Sequence, residues 1–279
     1  MRLGINLPSR RADGTPLSMA EVLTRARKIE EAGFDGIWIG DTVYRGQHVS
    51  PDPLMWLLAA ATVTQRIELG VAVLQLPLRT PFEFAQRLIT MHALTGGRFS
   101  LGVGAGSTKA DFDAVGVDYE ERFKLLSSYL PIVRRLVNGE QVGTASLNPW
   151  AVSGRGARML IGSWASGPWV VRAAREYDGW LASGRYTKGM TGLAEGIKRY
   201  REAGGRRALV ANVHVDLSAP TKPLAPDGSF NLLCSPAEAA ARLQRIAELG
   251  YDDVLLNKPI DQTEQDLIEI RALLPRHSS

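Results

Sequence analysis

The chain has 279 residues, 45% hydrophobic and 22% charged, a size and balance that suit one large α/β domain or two small ones. Its formal net charge of +4 comes from 33 basic and 29 acidic residues. The basic residues are scattered along the chain and do not form the basic cluster typical of a nucleic-acid-binding protein. The one cysteine, Cys234, excludes an intrachain disulfide framework, and no apolar run approaches the roughly 18 residues of a membrane span.

Apolar runs typical of buried strands alternate with amphipathic helical patterns along the chain. The predicted strands are 2–8, 36–40, 67–74, 98–104, 158–162, 180–183, 208–217 and 253–256. Helix starts carry capping signals, such as Ser18 with Glu21, or Pro directly after the cap. The predicted helices are 18–32, one from Pro53, 81–94, 120–137, 167–176, 191–203, 236–249 and 263–274. Two stretches near 141–157 and 218–231 are rich in Gly, Ser, Pro and Asn, and we expect loosely structured insertions there.

One motif, a helix end followed by a turn and a buried strand, occurs three times. It reads EAGFDGIWIGD at 31–41, EYDGWLASG at 176–184 and ELGYDDVLLNK at 248–258. Eight strands alternating with eight helices, in this length, predict a single (β/α)8 TIM-barrel domain over 1–279. The alternative is an open doubly wound sheet, but INLPSRR follows the first strand where that fold carries a phosphate-binding glycine loop.

In such barrels the functional site lies at the carboxyl ends of the strands. Those ends are small, apolar and amide-rich here, with no metal-ligand spacing and no nucleophile elbow. The mouth of the barrel, formed by these strand ends, therefore suits a large flat cofactor that carries the chemistry itself. Asp41, which ends the second strand, and His48, in the loop after it, are the candidate catalytic residues, although Asp41 also fits a loop cap. By strand alternation His214 also points into the barrel, unless it only packs there.

Two strand ends are candidates for cofactor binding. GVGAGST at 102–108 places Gly104, Ala105, Gly106 and Ser107 at the mouth, although glycines there also serve a tight turn. IGSWASGP at 161–168 runs into a helix N-terminus, where free N–H groups and the helix dipole attract an anion. We therefore expect a phosphate near Gly162, Ser163, Ser166 and Gly167, with ordinary helix capping by Ser166 as the alternative.

The segment Arg66–Leu126, RIELGVAVLQLPLRTPFEFAQRLITMHALTGGRFSLGVGAGSTKADFDAVGVDYEERFKLL, resembles the central signature of the bacterial luciferase-like monooxygenases. The similarity extends over nearly the whole chain. It implies a TIM barrel that binds FMN or the deazaflavin coenzyme F420. Two departures stand out: Asp41-Thr42 replaces the Asp-His or His of many relatives, and the segment before the fifth strand is short. The first departure weakens the case for proton transfer by residues 41 and 42. The second implies a more open substrate pocket.

The resemblance also implies where the cofactor lies. Its ring is expected across the mouth, against Val73 and near Asn6, Asp41 and Gly104–Ser107. We expect a β-bulge with a cis non-proline peptide at Ala72–Val73, since a bulge at this point backs the flavin ring in the family. The DGW of the sixth strand favours F420 slightly over FMN.

The expected partners are a small-molecule substrate, a second copy of the chain and a separate reductase that supplies reduced cofactor, with neither nucleic acid nor membrane. The helix from Pro53 carries surplus apolar surface, at Met55, Trp56 and Ala59, which is typical of a homodimer contact. MRLGINLPSRR lacks the apolar region of a signal peptide and Cys234 suits a reducing compartment, so a cytoplasmic protein is expected.

The leading hypothesis is a flavin-type oxidoreductase that acts on a small organic molecule, by hydride transfer with F420 or by monooxygenation with reduced FMN and O2. One alternative is a flavoprotein that binds cofactor without catalysis, which the missing His after Asp41 supports. The other is a barrel aldolase or isomerase acting on a phosphorylated substrate, for which Lys258 is the only lysine near a strand end.

Overall fold

The computed structural model of the chain describes residues 1–11, 13–44, 46, 50–147, 156–258 and 263–275. Its strands are β1 (Arg2–Asn6), β2 (Gly36–Ile39), β3 (Glu68–Gln75), β4 (Phe99–Gly104), β5 (Arg158–Gly162), β6 (Gly179–Ser183), β7 (Ala208–Asp216), β8 (Leu232–Leu233) and β9 (Asp253–Asn257). Its helices are α1 (Met19–Ala32), α2 (Pro53–Ala61), α3 (Pro81–Leu94), α4 (Lys109–Val115), α5 (Arg122–Val137), α6 (Trp169–Glu176), α7 (Gly189–Glu202), α8 (Pro236–Glu248) and α9 (Glu264–Arg271).

Eight of these strands form a closed parallel barrel. The hydrogen-bonded order is β6-β5-β4-β3-β2-β1-β9-β7, and β6 pairs with β7 to close the ring. The two-residue strand β8 pairs only with the end of β7. The predicted (β/α)8 TIM barrel is therefore confirmed, and the alternative of an open doubly wound sheet is wrong.

The helices depart from the prediction in several places, two of which lie near the ends of β4 and β5. The short helix α4 lies in the connection from β4 to α5, where no helix was predicted. Its seven residues span about two turns, too few for a helical period to stand out in sequence. Helix α6 begins at Trp169, two residues later than predicted, with Pro168 at its N-cap. The described residues 218–231 hold no helix or strand, and 148–155 of the other predicted insertion lie outside the described residues.

Trp38 occupies much of the barrel interior. A Cβ added at Gly36 or Gly70 would come within 2.4 or 2.2 Å of the indole, and one at Gly4 within 2.7 Å. The glycines of β1, β2 and β3 therefore make room for one large aromatic ring. Other interior side chains are Leu160, Leu181, Leu209, Ala211 and Leu255. A larger apolar layer packs between the strands and the surrounding helices.

The motif that occurs three times has a structural explanation in its aspartate. Asp35 accepts a hydrogen bond from the backbone N–H of Leu3, at 2.8 Å. Asp178 does the same for Met159 at 2.8 Å, and Asp252 for Ala208 at 2.7 Å. Each aspartate precedes one strand and binds the first residues of the neighbouring strand. The motif thus fastens adjacent strands together at the amino-terminal end of the barrel.

A network of buried charges closes that same end. The Glu68 carboxylate accepts hydrogen bonds from Arg207 (2.9 and 2.8 Å), Arg2 (2.8 Å) and Ser100. Arg207 also binds Asp253, at 2.9 and 3.0 Å. Burial alone would raise the pKa of Glu68, but the hydrogen bonds and charge of Arg207, with Arg2 and Ser100, hold it at about 2. This end of a TIM barrel serves stability, and the network there joins β1, β3, β4 and β9 to Arg207, the residue before β7.

No helix among the described residues is long and apolar enough to cross a membrane.

Candidate active site at the carboxyl ends of the strands

A cavity of about 290 Å³ opens where the carboxyl ends of the strands meet. Trp38 and Leu255 from the barrel interior line its inner part. Its wall combines apolar, amide and basic side chains from β1, β3, β7 and β9. The polar members among the described residues are Asn6, Ser9, Arg10, Ser50, Asn212, His214, Asn257 and Lys258. Of the predicted site residues, Asn6 and Ala72 lie in this wall, and so does His214, as strand alternation predicted.

Strand β3 bulges at the mouth of the cavity. The peptide bond between Ala72 and Val73 is cis, and the pairing with β4 changes register between Val71 and Leu74. The predicted bulge and cis bond are both confirmed. Ala72 lines the cavity, and the side chain of Val73 turns towards the ends of β4 and β5.

The glycines that end β4 and β5 accommodate Val73. A Cβ added at Gly162 would lie 2.5 Å from Val73 Cγ1, and one at Gly104 would lie 3.1 Å from Val73 Cγ2. Both positions are therefore small because the bulged valine lies over them.

Strand β7, on the opposite side of the barrel, has a second bulge that was not among the predicted features. Its pairing with β9 changes register between Val210 and Val213, and Asn212 has a φ of 58°. A left-handed conformation is uncommon for residues other than glycine, although Asn tolerates it better than most. Asn212 donates to Ser183 Oγ at 3.2 Å. Asn212 and His214 both line the cavity, so this bulge shapes the wall that faces Ala72.

Asp41 lies beside the cavity but its carboxylate is 2% exposed. It accepts hydrogen bonds from Arg79 Nη2 at 2.8 Å and from the Gln75 N–H at 2.9 Å. Burial raises the pKa of Asp41, against the opposing charge of Arg79. The aspartate therefore ties the end of β2 to the end of β3. Its catalytic role stays a prediction, and His48 lies outside the described residues.

The end of β4 is built as a tight turn. Gly106 has a φ of 87°, and an added Cβ would lie 2.5 Å from Gln75 Oε1. That buried oxygen has no hydrogen-bond partner within the described part of the chain, while the amide nitrogen of Gln75 donates to Asp111 at 2.6 Å. Ala105 is buried, and the carbonyl of Ser107 accepts from the Tyr119 hydroxyl at 3.3 Å. Gly104–Ser107 thus has the structure of a turn, and its contact with a cofactor stays a prediction.

The loop from β5 to α6 offers fewer free donors than the sequence indicated. Ser163 Oγ accepts from Trp180 Nε1 at 3.1 Å, and the Gly167 N–H donates to the Trp164 carbonyl at 3.1 Å. Pro168, at the N-cap, has no N–H to offer. Ser166 is exposed and forms no side-chain cap, so the capping alternative for this residue is wrong.

A cation from α7 lies under this loop. Arg199 donates to the carbonyl of Ala165 at 2.7 Å and to that of Gly167 at 3.4 Å. It fixes the loop and places a positive charge beside Ser166. Nothing in the local sequence indicates this contact, because Arg199 is more than thirty residues away from the carbonyls it binds.

The basic side chains of the cavity differ in their surroundings. Lys258 forms an ion pair with Asp266, so its ammonium group is already neutralised. Burial lowers the pKa of His214, and the charge of Arg185 lowers it further, which favours the neutral imidazole near pH 7. A neutral imidazole both donates and accepts a hydrogen bond, so His214 is suited to move a proton at this wall.

Barrel and cavity together define a (β/α)8 protein with a cavity at the carboxyl ends of its strands, the place where such barrels carry their functional sites. The chain belongs to the luciferase-like monooxygenase family, whose model matches residues 1–222.

Two curated relatives represent two chemistries. The chain is 34% identical over 125 residues to 4-hydroxyprotoasukamycin monooxygenase of Streptomyces nodosus subsp. asukaensis, covering 45% of this chain and 34% of that one. It is 36% identical over 124 residues to F420-dependent glucose-6-phosphate dehydrogenase of Kineococcus radiotolerans, covering 42% of this chain and 36% of that one. The chain thus spans about a third of the length of each of these relatives.

Two solved structures share the fold. The oxygenating constituent of 3,6-diketocamphane monooxygenase from Pseudomonas putida, in complex with FMN, has a TM-score of 0.75 at 16% identity over 97% of both chains. An F420-dependent secondary alcohol dehydrogenase, in complex with an F420-acetone adduct, has a TM-score of 0.73 at 16% identity over 98% of both chains. At this identity the likeness concerns the fold alone.

Proposed function

We propose that the chain is an oxidoreductase that uses F420 or FMN to oxidise, reduce or oxygenate a small organic molecule. The observation that carries the proposal is the cavity at the carboxyl ends of the strands, with Ala72 of the β3 bulge on one side and Asn212 and His214 on the other. The family and the two chemistries of its relatives support it.

The residues of the cavity fit a flavin-type ring. At Gly40 an added Cβ would meet nothing closer than the Ala72 carbonyl, at 3.8 Å, so the wall is open beside the bulge. The amide side chains of Asn6 and Asn257 both donate and accept hydrogen bonds, as the pyrimidine edge of either ring requires. A volume of about 290 Å³ is near the lower end of ligand cavities, so the phosphate belongs outside it.

The predicted phosphate position outside the cavity is the loop Ser163–Gly167. Ser166 presents an exposed hydroxyl there, and Arg199 beneath the loop contributes positive charge. The α6 N–H groups of Trp169 and Val170 follow Pro168 at the start of the helix, where the dipole favours an anion. We therefore propose that Ser163, Ser166 and Gly167 hold the phosphate with the help of Arg199.

In the proposed reaction, the cofactor and the protein side chains have different roles. The bound cofactor supplies the hydride transfer or, as reduced FMN with O2, the oxygen chemistry. Ala72 and the interior residue Trp38 line the cavity and shield one side of the site from water. His214 donates or accepts the proton that the substrate exchanges, and Asp41 keeps the loop after β2 in place through its ion pair with Arg79.

We propose that the cofactor is F420 in preference to FMN, because the DGW motif at the start of β6 favours F420. The relatives include a monooxygenase and an F420-dependent dehydrogenase. With FMN, a separate reductase would supply the reduced cofactor. We also propose a homodimer through α2, where Met55 is 72% exposed. The other two predicted contact residues are less available, because Trp56 donates to the Pro8 carbonyl at 3.3 Å and Ala59 packs on the core.

The test is reconstitution of the purified chain with each cofactor, followed by absorbance and by quenching of cofactor fluorescence. Ser166→Asp places a negative charge against the phosphate and should weaken binding at least about tenfold, since a charge-assisted hydrogen bond is lost. Ser127→Asp, on the exposed face of α5, is the matched control and should leave affinity unchanged. Equal affinity in both variants would overturn the phosphate position, and binding of neither cofactor by wild type would overturn the function.

Experiment can distinguish two alternative functions from the proposed one. A flavoprotein without catalysis would bind cofactor but show no substrate-dependent oxidation of it, and the burial of Asp41 in an ion pair is the observation in its favour. An aldolase or isomerase with a Schiff-base lysine would need Lys258 free, whereas it is paired with Asp266. Binding of neither cofactor, together with turnover of a phosphosugar, would favour that second alternative.

A further inference from the structure

One wall of the cavity is basic. Arg10, His214 and Lys258 all line it, and the charge of Arg185 reaches His214. The described residues that line the cavity include no carboxylate. The Lys258 ammonium is paired with Asp266, and His214 favours its neutral form. The charge in the wall that no described carboxylate compensates is therefore that of Arg10.

Arg10 is also short of hydrogen-bond partners. Its Nη1 is buried and has none within the described part of the chain. Its neighbour Arg11 differs, because the Arg11 guanidinium pairs with Glu21 and donates to Thr15 and Pro16 at 3.0 Å each. A buried guanidinium N–H without an acceptor is costly, so natural proteins rarely leave one unless something else completes it. Arg11 therefore serves the fold, and Arg10 is available to a ligand.

The chemistry of the missing partner follows from the donors. A guanidinium binds the oxygens of a carboxylate or phosphate through two parallel N–H groups. The hydroxyls of Ser9 and Ser50 line the same cavity and add neutral donors. A neutral or cationic ligand would leave the Arg10 charge unmatched in a partly buried site.

We propose that Arg10 is the centre of an oxyanion subsite in the cavity, so that the substrate is a small organic anion, a carboxylate or a phosphate ester. This rests on the proposed oxidoreductase function, in which His214 of the same wall exchanges the proton. The subsite is separate from the predicted phosphate position at Ser163–Gly167, because no residue of that loop lines the cavity.

The test uses sulfate, a dianion of fixed charge, and acetate, a carboxylate, titrated calorimetrically at constant ionic strength into the full chain. Wild type should bind at least one of them saturably. Arg10→Gln should weaken that binding at least about tenfold, the loss typical of one charge-assisted hydrogen bond. Arg10→Lys should lose less, and Arg11→Gln, the matched control, should bind as wild type does. The melting temperature of Arg10→Gln should not fall, because no partner of Nη1 is lost.

A second arm distinguishes substrate from cofactor. The ratio of FMN to riboflavin affinity reports the contact with the cofactor phosphate, and Arg10→Gln should leave this ratio unchanged while Ser166→Asp lowers it. A ratio that falls in Arg10→Gln would assign Arg10 to the cofactor phosphate and overturn the proposal. Absence of saturable anion binding to wild type, or equal binding in Arg10→Gln, would overturn it too. Anion binding through Arg10 in a chain that binds neither FMN nor F420 would leave the subsite standing and refute the proposed function.

Discussion

Glu68 offers the sharpest test of how the amino-terminal end of the barrel is held together. Glu68→Gln preserves the shape of the side chain but removes the negative charge that faces Arg207 and Arg2. The Glu68 carboxylate is 5% exposed, so both arginines lose a buried partner. Removing one member of a buried ion pair typically costs about 3–5 kcal/mol of stability.

The depressed pKa of Glu68 gives an independent value for the stability that its charge contributes. A fall from the ordinary value of 4.5 to about 2 corresponds to about 3 kcal/mol of stability. Because the folded pKa is depressed, this stability is present above pH 4.5 and is lost as pH falls towards 2. The advantage of wild type over Glu68→Gln should therefore shrink, relative to pH 7, by about 1 kcal/mol at pH 4 and by about 2 kcal/mol at pH 3.

The assay is urea unfolding followed by circular dichroism at each pH, with the free energy of unfolding compared between variant and wild type. Glu83→Gln is a suitable control, because Glu83 pairs with Arg87 on the exposed face of α3. A surface pair of that kind should contribute less than about 1 kcal/mol. A Glu68→Gln cost below 1 kcal/mol at pH 7, or one that stays constant down to pH 3, would refute the reasoning.

Three further variants test other contacts. Asp41→Ala should cost about 3–5 kcal/mol in urea unfolding, because it removes a buried carboxylate and leaves the half-buried Arg79 guanidinium unpaired, and a cost under 1 kcal/mol would contradict this. Gly162→Ala should lower stability by about 1–3 kcal/mol, because the added methyl group displaces Val73, whereas Gly40→Ala should change stability by no more than about 0.5 kcal/mol. Equal changes of melting temperature in the two variants would show that Val73 has room to move. Met55→Glu should shift the sedimentation velocity from dimer to monomer at micromolar concentration, and a monomeric wild type would disprove the dimer.

The fold could be read from the sequence because its signals are local. Each barrel strand lies within two residues of its prediction at either end, since apolar runs between turn residues mark buried strands. The capping box at Ser18 and Glu21 is present as predicted. The repeated aspartates indicated repeated β-α units, although their bonds to the neighbouring strands emerge only once the strands are side by side.

The site was less accessible to sequence reasoning because its contacts are not local. The bulge at Ala72–Val73 was expected through the family resemblance, while the bulge at Asn212 had only a weak local signal, an Asn inside an apolar strand. Asp41 was expected at the mouth, but its burial depends on Arg79, 38 residues further along the chain. No local sequence signal separates Arg10 from its neighbour Arg11, and only the fold places Arg10 in one cavity wall with residues of β7 and β9.

The two ends of the barrel use buried polar groups in opposite ways. At the amino-terminal end, Glu68 of β3 and Asp253 of β9 are both paired with Arg207, which directly precedes β7. At the carboxyl end, Asn212 has an uncommon backbone conformation and Arg10 has a buried donor without an acceptor in the described part of the chain. Such features cost stability and persist only where the surrounding structure compensates for them. The ion-pair network at one end thus allows the other to keep groups that a ligand, and not the fold, would satisfy.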